Sequence, residues 1–207
     1  MHFVSFSDIE ITHPDLARIV QTAVSWVSRR KQVPSASIVL LGPNGTGKTM
    51  LAKAMLWTEY FSIDGEPLAY QGKLYKAASF IEMAQAQDMG KLAPPSIQSK
   101  DRVEAGVPIV VIDDVGEGGQ LDFTGAALHQ ATIHTTFTRL VEHCSDHGIS
   151  LIITGSNNVL TRSALESYIG PRAYKRLQVM APMGEGFSYF VNFKNVPDFR
   201  LRLGGRG

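Results

Sequence analysis

Three short stretches of the chain are apolar almost without interruption: residues 36–41 (ASIVLL), 108–112 (PIVVI) and 149–154 (ISLIIT). Runs of that length without polar alternation predict strands buried on both faces. Between them the spacing turns helical. Leu16, Ile19, Val20, Ala23, Val24 and Val27 recur at intervals of three and four, predicting a first helix with these residues on its core face. Thr12-His13-Pro14-Asp15 starts it with a capping hydroxyl, a proline in the first turn and an acid suited to the helix dipole. Arg29-Arg30-Lys31 close its last turn. Residues 48–60 read as a second helix, ending in the aromatics Trp57, Tyr60 and Phe61, which are expected in the core. A weaker strand at 74–77 leads into a helix at 80–87, and a polar-faced helix covers 125–147. A helical stretch then runs through Arg176, and residues 187–193 (FSYFVNF) are expected as a last strand. Residues 90–107, punctuated by Pro94-Pro95, read as a loop. Strands alternating with helices predict an α/β fold, a central parallel sheet flanked by helices, with ligands at the carboxyl ends of the strands.

The length of 207 residues suits one such domain, taken as residues 34–207, with residues 1–33 as an N-terminal helical segment. A 44% hydrophobic and 19% charged composition is that of a globular protein. The net charge of +1 conceals an asymmetry. Residues 1–150 carry 12 basic and 16 acidic side chains, and residues 151–207 carry 8 and 3. The basic end suits contact with nucleic-acid phosphates or with an acidic neighbouring subunit. One cysteine, Cys144, excludes an internal disulfide and fits a reducing cytoplasm. No apolar run reaches the ~18 residues of a membrane helix, and the N-terminus lacks the apolar core of a signal peptide.

The chemistry is concentrated where the strands end. Directly after the first buried strand comes GPNGTGKT, with the spacing of a Walker A loop. Gly42, Pro43, Asn44, Gly45, Thr46 and Gly47 would wrap the phosphates of ATP with backbone N–H groups. Lys48 would reach the β- and γ-phosphates, and the Thr49 hydroxyl would ligate Mg²⁺. Asp113 and Asp114 end the PIVVI strand, where an acid can hold Mg²⁺ and a second can polarise the attacking water. Glu117 is the reserve candidate for that base. Asn157 follows the ISLIIT strand, within reach of a γ-phosphate from the neighbouring strand. Asp113-Asp114-Val115-Gly116 also fits a D-x-x-G pattern of GTPases, but no lysine is followed two positions later by aspartate, as guanine recognition would require. His143 and His147 lie four apart beside Cys144, a zinc-compatible spacing without a second ligand pair.

Taken in order, GPNGTGKT, VVIDD, IITGSNN and IGPRAYKRL resemble the Walker A, Walker B, sensor I and arginine-finger boxes of AAA+ ATPases. Within these the chain is similar to the DnaC/IstB group of helicase loaders and transposition helper ATPases. Asp114 stands where most of the superfamily has glutamate, and only about fifty residues follow Asn157, too few for a separate helical lid. The last apolar strand followed by Arg200 and Arg202 is similar to loader C-termini. The resemblance implies a lidless AAA+ core that binds and hydrolyses ATP with Mg²⁺ as a homo-oligomer acting on DNA. It makes Asp114 the base, Asn157 sensor I, and Arg176 or Arg172 the finger that completes a neighbour's site. The implied partner is a replicative helicase or a transposase. Only some 33 residues precede the first core strand, fewer than loaders use to grip a helicase. A small P-loop kinase of nucleotides or metabolites is the reading from a different class.

Overall fold

Residues 4–30, 35–57, 72–85, 109–116, 126–180 and 190–198 are described by the structure, a computed structural model. Five strands make one sheet: β1 (Ser37–Leu41), β2 (Gly72–Lys76), β3 (Ile109–Val115), β4 (Ser150–Gly155) and β5 (Phe190–Asn192). Their spatial order is β2-β3-β4-β1-β5, and every neighbouring pair is parallel. Among the described residues six helices cover it: α1 (Pro14–Arg30), α2 (Lys48–Trp57), α3 (Ala77–Gln85), α4 (Ala126–Asp146), α5 (Arg162–Ile169) and α6 (Pro171–Met180). A short 3₁₀ turn, Phe6–Asp8, precedes α1.

The apolar runs become central strands because both sides of each must be buried. Val39, Leu41, Val110, Ile112, Leu151 and Ile153 face a core shared with α3, α4, α5 and α6. The alternate residues Ile38, Leu40, Ile109, Val111 and Ile152 face a second core shared with α1 and α2. This period-two division of labour is the pleat of a doubly covered sheet. In the first core Phe137 sits between the rings of Phe80 and Tyr168, with ring centres 6.2 Å away on each side. No helix among the described residues is long and apolar enough to cross a membrane.

The elements follow the predicted order, with four informative departures. Val24 does not join the buried stripe of α1: it is 42% exposed, and Trp26 is buried instead, donating its indole N–H to the Ser37 carbonyl at 3.2 Å. The β2 strand ends at Lys76 and α3 starts at once at Ala77, three residues before the expected position. Strand β3 continues past Ile112 through both acids to Val115, and its register against β4 shifts between Ile112 and Val115. The helical stretch after Asn157 is broken at Gly170, whose φ of 89° disfavours a side chain. A Cβ there would also stand 2.8 Å from the His134 ring. The expected loop at 90–107, the strand residues 187–189, and Tyr60, Phe61, Glu117, Arg200 and Arg202 lie outside the described residues.

Phe137→Ala removes a fully buried ring from the middle of this core and should destabilise the protein by about 3–5 kcal/mol in urea unfolding. Val24→Ala, on the exposed side of α1, should change stability by no more than about 0.5 kcal/mol.

Candidate functional site

The loop between β1 and α2 has the backbone that its glycines permit: Gly42, Gly45 and Gly47 have φ of 143°, 80° and 91°. It is also pressed from behind. A Cβ at Gly42 would lie 2.7 Å from that of Phe193, and one at Gly45 would collide with the Asp198 carboxylate. Glycine is therefore favoured at both positions by conformation, and at Gly42 by space as well, because the Phe193 backbone cannot step aside as a carboxylate end can. The buried Lys48 begins α2 and folds its ammonium back onto the loop, donating to the carbonyls of Gly42 (2.8 Å) and Pro43 (2.6 Å). The Thr46 hydroxyl donates to the Pro43 carbonyl as well. The loop is thus set by its own side chains around a cleft of about 450 Å³. Lys48, Thr49 and Asp114 line that cleft together with Val4, Met50 and Lys53.

Behind Thr49, just beneath the cleft, stands Asp113, with a fully buried side chain. One oxygen, Oδ1, accepts from the Thr49 hydroxyl at 2.8 Å and the Thr154 hydroxyl at 2.6 Å. The other, Oδ2, accepts from the Lys76 ammonium at 2.8 Å. Burial pushes the Asp113 carboxyl up, but hydrogen bonds from Lys76, Thr154 and Thr49, with the Lys76 charge, outweigh it and hold it below the usual carboxylate range. Lys76 also donates to Asp114. Burial lowers its ammonium, and the two carboxylates more than reverse that, keeping it charged well beyond neutral pH.

Asp114 has the left-handed φ of 59°, which aspartate tolerates better than most residues. Its N–H donates to the Thr154 hydroxyl at 3.0 Å, so one threonine fixes both acids. The same ends of β3 and β4 are tied again by Ser156 N–H to the Val115 carbonyl and by the Asn158 amide to the Gly116 carbonyl. Asn157, in the turn after β4, accepts the Asn44 N–H on its side-chain oxygen at 2.8 Å. The residues read as phosphate loop, metal acid, base and γ-phosphate sensor therefore meet at one end of the sheet.

Arg172 and Arg176 do not join them. Arg172 donates twice to Glu142, at 3.1 and 2.6 Å, and Arg176 lies 3.6 Å from Asp146. With Lys175 and Val179 they line a second cleft, between α4 and α6. Three residues of the first site carried no sequence signal strong enough to single them out. Lys76 ends a weak strand, Thr154 looks like the last residue of an apolar run, and Val4 is distant in the chain. The polar hydroxyl at the carboxyl end of ISLIIT was the one available hint.

The donors fit a hard divalent cation: a carboxylate and a hydroxyl 2.8 Å apart, beside a loop shaped for phosphate. The carboxylate already carries a cationic partner, which shows that the position accommodates positive charge.

Comparison with known proteins agrees with this fold. The model of the AAA family, the ATPases associated with various cellular activities, matches residues 38–171. Among solved structures, the DnaC helicase loader superposes with a TM-score of 0.60 at 18% identity, covering 92% of this chain and 97% of that one. DnaI gives 0.52 at 16% identity, with 94% and 89% covered. A DNA replication initiation factor gives 0.53 at 15%, with 98% and 55% covered. At these identities the likeness is one of fold. No curated protein matches the sequence. With its phosphate loop, its parallel sheet in the order β2-β3-β4-β1-β5 and a family match over most of its length, the chain belongs to the AAA family of ATPases.

Proposed function

We propose that this protein binds and hydrolyses ATP with Mg²⁺ as a nucleotide-dependent homo-oligomer acting on DNA, in the manner of a replicative helicase loader. The observation that carries the reading is the hydroxyl–carboxylate pair of Thr49 and Asp113 at the foot of the phosphate loop. It supplies two adjacent oxygen donors for a divalent ion where the β- and γ-phosphates would lie. When bound, the ion would neutralise phosphate charge. Lys48 would leave its loop carbonyls for the phosphates, and Gly42 to Thr49 would surround them with N–H groups. Asp114 would take the proton of the attacking water, and Asn157 would orient that water and the γ-phosphate.

The likeness in fold to the DnaC helicase loader and DnaI favours helicase loading over transposase assistance. The second cleft suits the finger role for Arg172 or Arg176. Both are exposed and, among the described residues, held by surface ion pairs, which contribute about 0–1 kcal/mol and are readily exchanged for a neighbour's phosphate. The basic segment after residue 151 is the part of the chain suited to DNA phosphates, with a replicative helicase as the protein partner.

Lys48→Ala should abolish ATP binding, and Asp114→Asn should bind ATP but leave it unhydrolysed. Wild-type nucleotide affinity in the first variant, measured by equilibrium dialysis, would sink the assignment of the phosphate loop. Normal turnover in the second would move the base elsewhere.

Arg176→Ala should bind ATP and lose about 10³-fold in turnover. Mixed with Lys48→Ala it should regain part of the ATPase activity, because some interfaces would pair an intact loop with an intact finger. Full activity of Arg176→Ala alone would transfer the role to Arg172. Turnover per subunit that is unchanged on dilution to monomers would remove the oligomeric mechanism.

A further inference from the structure

Lys76 is not part of the phosphate loop, yet it holds both acids of the site. It closes β2, and its Cα is in register with that of Asp113 on the adjacent strand. From there its ammonium bonds Asp113 Oδ2 at 2.8 Å and also bonds Asp114. Asp113 is completely buried, whereas the Lys76 side chain is 52% exposed. A carboxylate so deeply placed stays ionised when a cation and hydrogen-bond donors match its charge, as Lys76, Thr49 and Thr154 do here. The charge of Asp113 is matched by a half-exposed partner on a flexible four-carbon stem.

A divalent ion held by Thr49 and Asp113 would have to share that carboxylate with the ammonium. Two cations on one buried carboxylate repel each other strongly in a medium of low dielectric. The lysine has an exit toward solvent, and the ion, once chelated by nucleotide, does not.

We propose that Lys76 is a built-in counter-cation that the divalent ion displaces when nucleotide binds, so that it sets the divalent-ion concentration at which the site loads. This rests on the assignment of Asp113 to the metal made above. The apparent affinity for the ion is then the intrinsic one multiplied by the fraction of molecules whose ammonium has already withdrawn. The same withdrawal releases Asp114, so loading of the ion and freeing of the second acid are one event. Lys76 acts through Asp113 and Asp114 and is a positioning residue.

The test is a Mg²⁺ titration of the full chain with a fixed, non-hydrolysable ATP analogue carrying a fluorescent group, read as nucleotide bound. Lys76→Gln should lower the Mg²⁺ midpoint about tenfold, as expected if the ammonium occupies the site in some nine molecules of ten. Lys76→Arg, which keeps a permanent charge able to bridge two carboxylates, should stay at or above the wild-type midpoint. An unchanged midpoint in Lys76→Gln, or a lowered one in Lys76→Arg, overturns the inference. Asp113→Asn separates the two levels: a Mg²⁺ dependence intact in that variant overturns the metal assignment itself. Thermal unfolding with the same analogue present at fixed concentration gives a second reading. Lys76→Gln should melt earlier in EDTA and gain more from added Mg²⁺ than the wild type does. An equal gain in both proteins counts against the exchange.

Discussion

The structure is organised around a single carboxylate that no water reaches. Asp113 accepts hydrogen bonds from Thr49 on α2, Lys76 on β2 and Thr154 on β4, so three separate segments must arrive in register before its charge is matched. A buried ion that loses one such partner is heavily destabilising, whereas a fully matched one fixes its surroundings. The register shift of β3 and the left-handed φ of Asp114 fall at this point: the second acid lines the cleft while the first stays buried beneath it. The phosphate loop is anchored to the same point through Thr49, the residue after its lysine.

The second polar centre, on α4 and α6, is of a different kind. Glu142 with Arg172 and Asp146 with Arg176 are pairs at the protein surface, where water competes for each partner. The deep charge of Asp113 is held by three donors, and the shallow carboxylates of α4 by one arginine each. That gradient separates what is fixed within the chain from what is free to engage a surface outside it.

Much of this was legible in the sequence, because the features concerned are local. An unbroken apolar run can only be a strand buried on both sides, and a glycine loop between such a strand and a helix has few alternatives. Asn157 could be placed beside the loop because the ends of adjacent parallel strands lie together. Lys76 was not legible: it gains its importance from its register with Asp113, which no local pattern encodes, and its strand is weakly apolar. Thr154 was hidden for the opposite reason, since a threonine ending an apolar run reads as part of the strand. In α1, counting apolar positions put Val24 inside, but the indole of Trp26 buries more surface and finds a carbonyl for its N–H, and that turned the helix.

The pairing of β5 with β1 has a consequence in time. The N–H of Phe193 bonds the carbonyl of Leu41, and Phe193 then backs the first glycine of the phosphate loop, about 150 residues earlier in the chain. On a ribosome the loop, its lysine and its threonine emerge well before the residues that brace them from behind. Closing so long a span carries an entropic cost that local helices do not share. The nascent chain would therefore carry the glycine loop well before that loop is braced, and the finished loop would arrive with β5.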